Sequence, residues 1–257
     1  MEFELYFYVI FLAAGFLAGF VDSIAGGGGI ITVPVLLASG MPPHVALATN
    51  KLQSSFGSFT ASLNFVKKGL VSLKDVYMGV IFTFIGASLG TYSILLMDAS
   101  LLSKIIPVML VIIFIYTFLT PKLGSEDRHH RLKPTLFYLI FGITIGFYDG
   151  FFGPGTGSFW TIAIVTLLGL NLKSATAQTK IMNFTSNIVS LGVFVIGGQV
   201  LWLVGILMGV GQILGAYIGS SLVVKKDVAF IRVFFLTIVG ITILKLLYDS
   251  YGKLIFS

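Results

Sequence analysis

Four ionisable residues stand inside otherwise apolar sequence: Asp22, Lys51, Asp149 and Lys180. A charge within a membrane-spanning segment is expensive and marks a candidate functional site. The two lysines open polar stripes at helical spacing, Lys51–Ser54–Ser55–Ser58–Ser62 and Lys180–Asn183–Asn187–Ser190, with Thr49, Asn50, Gln53, Gln178 and Thr179 beside them. Such a face suits the wall of a polar cavity. The lysines would attract an anion, or each would snorkel to the interface or pair with Asp22 or Asp149. The aspartates read first as helix caps beside a turn, with proton carriage as the functional alternative.

Each aspartate precedes a glycine-rich interruption, Gly26–Gly29 in the first case and Gly153-Pro154-Gly155-Thr156-Gly157 in the second. Neither run continues a helix cheaply. Backbone groups freed at such a break cost several kcal/mol each in lipid, so they must face protein, water or a ligand. A short helix beginning after the break offers unpaired N–H donors and a partial positive charge, which together suit an anion. One break would be read as a tight turn; two matched breaks favour a substrate site. The expected substrate-binding set is Gly26, Gly27, Gly28, Gly29, Asn50, Lys51, Gln53, Ser54, Gly153, Gly155, Thr156, Gly157, Gln178, Lys180 and Asn183, with Asp22 and Asp149 as candidates for proton coupling.

Catalysis is a poor reading. Ser158 follows Gly155-Thr-Gly, but a nucleophilic serine needs a base. The histidines, His44, His129 and His130, all read as loop residues. No two of them share a helix face at metal-ligand spacing, so neither a metal nor any other cofactor is expected. There is no cysteine, hence no thiolate site.

The elements that must position these residues follow from composition. Only 10% of the 257 residues are charged and 56% are hydrophobic. That excludes a soluble enzyme and a disordered chain, and leaves a polytopic membrane protein in the lipid bilayer. The apolar stretches are continuous, so helices rather than an alternating β-barrel are expected. Eight are long, roughly 5–22, 44–66, 76–97, 101–120, 134–150, 174–197, 200–224 and 229–248, each near the ~20 residues a crossing needs. Two more, 30–39 and 158–169, are short and read as re-entrant segments or tilted crossings, the re-entrant form being favoured. The fold class is therefore all-α. The acidic start does not resemble a signal peptide. The net charge of +6 sits mainly in short loops, where it sets orientation rather than binding nucleic acid.

The halves repeat each other. Gly15, Gly19, Asp22, Gly26 and Gly28 recur 127 residues later, and Ala46, Lys51, Gly69, Gly86, Ala87 and Gly90 recur 129 residues later. A constant offset that captures the rare Asp and Lys points to duplication. The basic loops lie at 67–74, 122–133 and 225–226, whereas the N-terminus and the turns at 98–100 and 197–200 are not basic. Basic loops face the cytoplasm, which places the N-terminus outside, residues 121–133 inside, and the two repeats in opposite orientation. The expected organisation is a first repeat over 1–120, a polar cytoplasmic linker over 121–133 and a second repeat over 134–257. Oligomeric state, a homodimer included, is not legible.

The pattern GxxxGxxDxxxGGGG…P at Gly15–Pro34, with AxxTNK at Ala46–Lys51, resembles the TauE/SafE family of sulfite and organosulfur-anion exporters. GFxDGFFGPGTG at Gly146–Gly157 and AxAQTKxxNF at Ala175–Phe184 resemble that family's second hallmark. The resemblance implies a bacterial inner-membrane transporter, not an enzyme, that moves sulfite or an organosulfonate outward. Alternating access between the two halves is the expected mechanism. An anion channel, a carrier of a non-sulfur anion and a membrane-embedded enzyme or scaffold are the alternatives.

Overall fold

A computed structural model describes residues 3–102, 104–106, 108–109 and 132–226. The linker expected at 121–133 and the apolar stretches at 101–120 and 229–248 lie wholly or largely outside the described residues, as do His129 and His130. Among the described residues the regular structure is entirely helical.

The first half contributes α1 (Leu5–Ala25), α2 (Gly28–Ala38), α3 (Pro43–Lys67) and α4 (Leu73–Leu95). The second contributes α5 (Pro134–Phe151), α6 (Thr156–Ala163), α7 (Leu172–Ile196) and α8 (Trp202–Lys225). A single π-helical stretch, Ile164–Leu168, extends α6. Local sequence sets the boundaries. Pro43 and Pro134 open α3 and α5, where a missing N–H costs nothing. Ser72 and Asn171 accept from the backbone N–H groups of Lys74 and Ser174 and so cap α4 and α7.

Among the described residues five helices, α1, α4, α5, α7 and α8, are long and apolar enough to cross a membrane. Helix α3 has the length, at 25 residues, but carries polar side chains along its buried face. His44, expected in a loop, is the second residue of α3, its Nε2 3.1 Å from the carbonyl of Ile94.

The packing joins one half to the other. Helix α1 lies along α8 and α4 lies along α5. Glycines make both contacts close: Gly15 and Gly19 sit on the α8 backbone at Met208 and Gln212, while Gly211, Gly215 and Gly219 sit on α1 at Leu12, Phe16 and Phe20. On the other side Gly86 and Gly90 meet α5, and Gly142, Gly146 and Gly150 meet Phe82, Thr83 and Ala87 of α4. A side chain at these positions would hold the backbones apart. Gly15, Gly19, Gly86 and Gly90 and their repeat counterparts Gly142, Gly146, Gly215 and Gly219 therefore make reciprocal contacts across the halves.

The exterior is apolar, and polar residues are drawn into the interior beside apolar core clusters. Phe84, Leu89 and Tyr92 of α4 and Ile206, Val210, Leu214 and Tyr217 of α8 are exposed, the surface expected against lipid tails. Helices α3 and α7 occupy the interior and bury Asn50, Lys51, Gln53, Ser58, Thr179, Lys180, Asn183, Ser186, Asn187 and Ser190.

Candidate functional site

The first interruption is shorter than the run of four glycines suggests. Helix α1 continues past Asp22 to Ala25, and α2 already begins at Gly28, so only Gly26 and Gly27 stand outside helices. Gly26 takes φ +77°, a left-handed conformation that ends α1, and its N–H donates to the carbonyl of Asp22 at 2.8 Å. Gly28 and Gly29 are tolerated in the first turn of α2, and Gly28 N–H donates to Asp22 Oδ1 at 3.3 Å. The second interruption runs from Phe152 to Gly155, with Gly153 and Gly155 at φ +100° and +82°. Tyr148 Oη donates to the Pro154 carbonyl at 2.6 Å and fixes this loop to α5.

The two interruptions meet. Gly26 lies against the backbone of Gly157, with no room for a side chain on either, and Gly29 faces Pro154. Ser158 Oγ donates to the Ala25 carbonyl at 3.0 Å across the junction. That bond uses the hydroxyl of the serine considered as a nucleophile.

A small polar cleft of about 30 Å³ lies beside this junction. Of the expected set, Gly26, Gly29, Asn50, Lys51, Ser54, Gly153, Gly155, Thr156, Gly157 and Asn183 line it, together with Asp22 and Asp149. Asn183 is buried and its Oδ1 has no hydrogen-bond partner among the described residues. A buried amide rarely stays unpaired, so this wall has spare capacity for a ligand or water.

Five expected residues stand elsewhere. Gly27 is in the turn and Gly28 opens α2, and neither lines the cleft. Gln53 is used in bracing: its Nε2 donates to Asn50 Oδ1 and Ser54 Oγ, each at 2.8 Å, and its Oε1 accepts from Gln212 Nε2 at 2.5 Å. Gln178 accepts from Tyr138 Oη at 2.8 Å, away from the cleft. Lys180 lies behind Asp22, fully buried, and does not reach the wall. Asn187 is a wall residue that the expected set lacked, although it follows Lys180 and Asn183 in the polar stripe of α7.

The embedded charges form two crossed ion pairs. Lys51 of the first half donates to Asp149 Oδ1 of the second at 2.6 Å, to the Asp149 carbonyl, and to Asn187 Oδ1 at 3.3 Å. Lys180 of the second half donates to Asp22 Oδ2 of the first at 2.9 Å. The pairs are related by the repeat but are not equivalent. The Asp149 side chain is 4% exposed and its second oxygen accepts from Ser186 Oγ; the Asp22 side chain is 21% exposed. The repeat counterpart of Ser186 is Gly57, so Asp22 has no matching hydroxyl. Two further bonds join each short helix to its neighbour at matching positions: Thr32 to Asn50 at 2.5 Å and Thr161 to Thr179 at 3.1 Å.

Comparison with known proteins agrees with this architecture. The family described as sulfite exporter TauE/SafE matches residues 11–246. A Haemophilus influenzae protein named "Probable membrane transporter protein" is 48% identical over 241 residues, covering 94% of each chain. The "Probable membrane transporter protein YfcA" of Escherichia coli K12 is 48% identical over 95% of this chain and 91% of its own. An Arabidopsis thaliana protein named "Sulfite exporter TauE/SafE family protein 6" is 31% identical over 83 residues, 32% of this chain and 19% of its own. No solved structure matches.

Proposed function

Because the chain belongs to the sulfite exporter TauE/SafE family and is one of its membrane transporters, we propose that it is a secondary transporter of a small sulfur-containing anion. Sulfite or an organosulfonate binds in the cleft beside the junction of the two interrupted helices and leaves by alternating access. The observation that carries this reading is the meeting of Gly26 with Gly157 at the wall of a polar cleft, deep in a protein whose outer surface is apolar. Gly155, Thr156 and Gly157 at the start of α6 line that wall, and Asn50, Ser54, Asn183 and Asn187 add residues with neutral hydrogen-bonding groups. Together these suit an oxyanion.

Alternating access comes from the two repeats in opposite orientation. The reciprocal contacts of α1 with α8 and of α4 with α5 support a two-fold relation between the halves, and the loop charges support its inversion. In this reading the protein resides in the bacterial inner membrane, with its N-terminus outside and residues 121–133 in the cytoplasm. Outward transport rests on the family resemblance.

The test is a flux screen of purified protein in liposomes over sulfite, sulfonates, sulfate and small carboxylates. Saturable uptake of sulfite or a sulfonate, accelerated by the same anion on the far side, is the expected result. Flux that neither saturates nor shows counterflow identifies an anion channel, and no flux of any anion overturns the reading.

A further inference from the structure

The ionisable groups around the cleft cancel. Asp22, Lys51 and Asp149 line it, and Lys180 stands directly behind Asp22, so two carboxylates face two ammonium groups. An anion entering this site meets no unpaired cation among the described residues. It must displace a carboxylate from its lysine and then sit beside a second negative charge in a poorly solvated place, which is strongly unfavourable. Neutralising one carboxylate removes that conflict.

The two carboxylates differ in how firmly they are held. Asp149 accepts from Lys51 and Ser186 and is almost fully buried. Asp22 accepts from Lys180 and, at 3.3 Å, from one backbone N–H, and its side chain is 21% exposed at the cleft. The elements packed on α1 offer Asp22 few other charges. Helices α2 and α6 contain no titratable side chain. Helix α3 brings Lys51 to the cleft, with His44 and Lys67 at its ends. Helix α7 brings Lys180, with Lys173 in its first turn, and α8 has only Tyr217 and Lys225, both exposed. Asp149 on α5 is the other carboxylate at the cleft.

We propose that the anion is carried together with one proton, and that Asp22, not Asp149, takes that proton. This rests on the transport reading above and adds its coupling. A proton from water in the cleft bonds to Asp22 Oδ2, the Asp22–Lys180 ion pair breaks, and Lys180 keeps its ammonium charge. The anion occupies the cleft beside the neutral Asp22, and the ammonium of Lys180 behind Asp22 balances its charge. On the far side the anion leaves, Asp22 returns the proton to water, and the pair re-forms. A singly charged anion then crosses with no net charge, and Asp149 stays the ionised partner of Lys51 throughout.

The test uses the full-length protein in liposomes with methanesulfonate, a monoanion that takes up no proton itself. In the wild type a more acidic exterior drives methanesulfonate inward, and a potassium diffusion potential leaves the accumulation ratio unchanged. In Asp22→Asn the proton site is gone: the flux it retains ignores the pH gradient and moves charge, so accumulation shifts about tenfold for roughly 60 mV. The residual flux of Asp149→Asn keeps the wild-type response to both gradients. Wild-type methanesulfonate flux that follows the potential and ignores the pH gradient overturns the inference and leaves the transport reading standing. So does an Asp22→Asn flux that keeps the wild-type response to the pH gradient. Absence of flux for every anion overturns both.

Discussion

Lys51 Nζ stands 2.6 Å from Asp149 Oδ1, 98 positions away in sequence, and both side chains are almost fully buried. The pair ties α3 of one half to α5 of the other. A buried ion pair is weak evidence for stability as such, but removal of one member leaves an uncompensated charge at a cost of about 3–5 kcal/mol. Lys51→Met is therefore expected to lower the unfolding midpoint in detergent sharply, and Lys51→Met with Asp149→Asn to recover much of the loss. A double variant no more stable than the single one would show that the ion pair is not what couples these helices.

The junction of the interruptions gives a contrast between glycines. At Gly157 an added methyl group would collide with Gly26, whereas at Gly192, near the C-terminal end of α7, it meets nothing within 4 Å. Gly157→Ala is expected to abolish transport and lower the amount of folded protein. Gly192→Ala is expected to be neutral or stabilising by up to about 1 kcal/mol, the helix propensity gained. Thermal stability and liposome flux measured on both variants check this.

Tyr148 fixes the second interruption through its bond to the Pro154 carbonyl, and its repeat counterpart is Val21, which has no hydroxyl. Tyr148→Phe removes about 0.5–1.5 kcal/mol of hydrogen bonding from that loop alone. Slower transport with unchanged membrane abundance is expected, and Val21→Ile, a change in the same register of the first half, serves as the comparison.

Asn187 accepts from Lys51 and contributes to the cleft wall. Asn187→Leu keeps the volume and removes the polar group. Under the proposed function the half-saturation concentration for the transported anion rises by about tenfold, the scale set by about 1.4 kcal/mol for one charge-assisted hydrogen bond. Initial-rate measurements over a range of anion concentrations decide it; an unchanged half-saturation concentration would remove Asn187 from the site.

Much of the architecture was legible because lipid permits few solutions. Long apolar runs with few charges must be helices, and the described helices lie where those runs lie, from Leu5–Ala25 to Trp202–Lys225. The polar stripes of α3 and α7 identified the interior faces, since a polar face is costly against hydrocarbon. The glycine runs identified both helix interruptions. Their bounds were less legible, because glycine is allowed both in a left-handed turn and in the first turn of a helix. The structure starts α2 at Gly28, whose N–H donates to Asp22 Oδ1.

What the sequence by itself determined is the membrane-helical class, the duplicated pattern and the list of rare polar residues, all of which follow from local composition and spacing. What only the tertiary structure decided is partnership. Gln53 and Gln178 had the same chemical credentials as Asn50 and Asn183, yet the first two are bonded to Gln212 and Tyr138 and the last two reach the cleft. Each lysine pairs with the aspartate of the opposite half; both members of the Lys51–Asp149 pair line the cleft while almost fully buried, and in the other pair only Asp22 reaches it. A side chain's partners are set by which helix faces it across the bundle, and that depends on contacts between 40 and 159 positions apart in the chain, which no local pattern encodes.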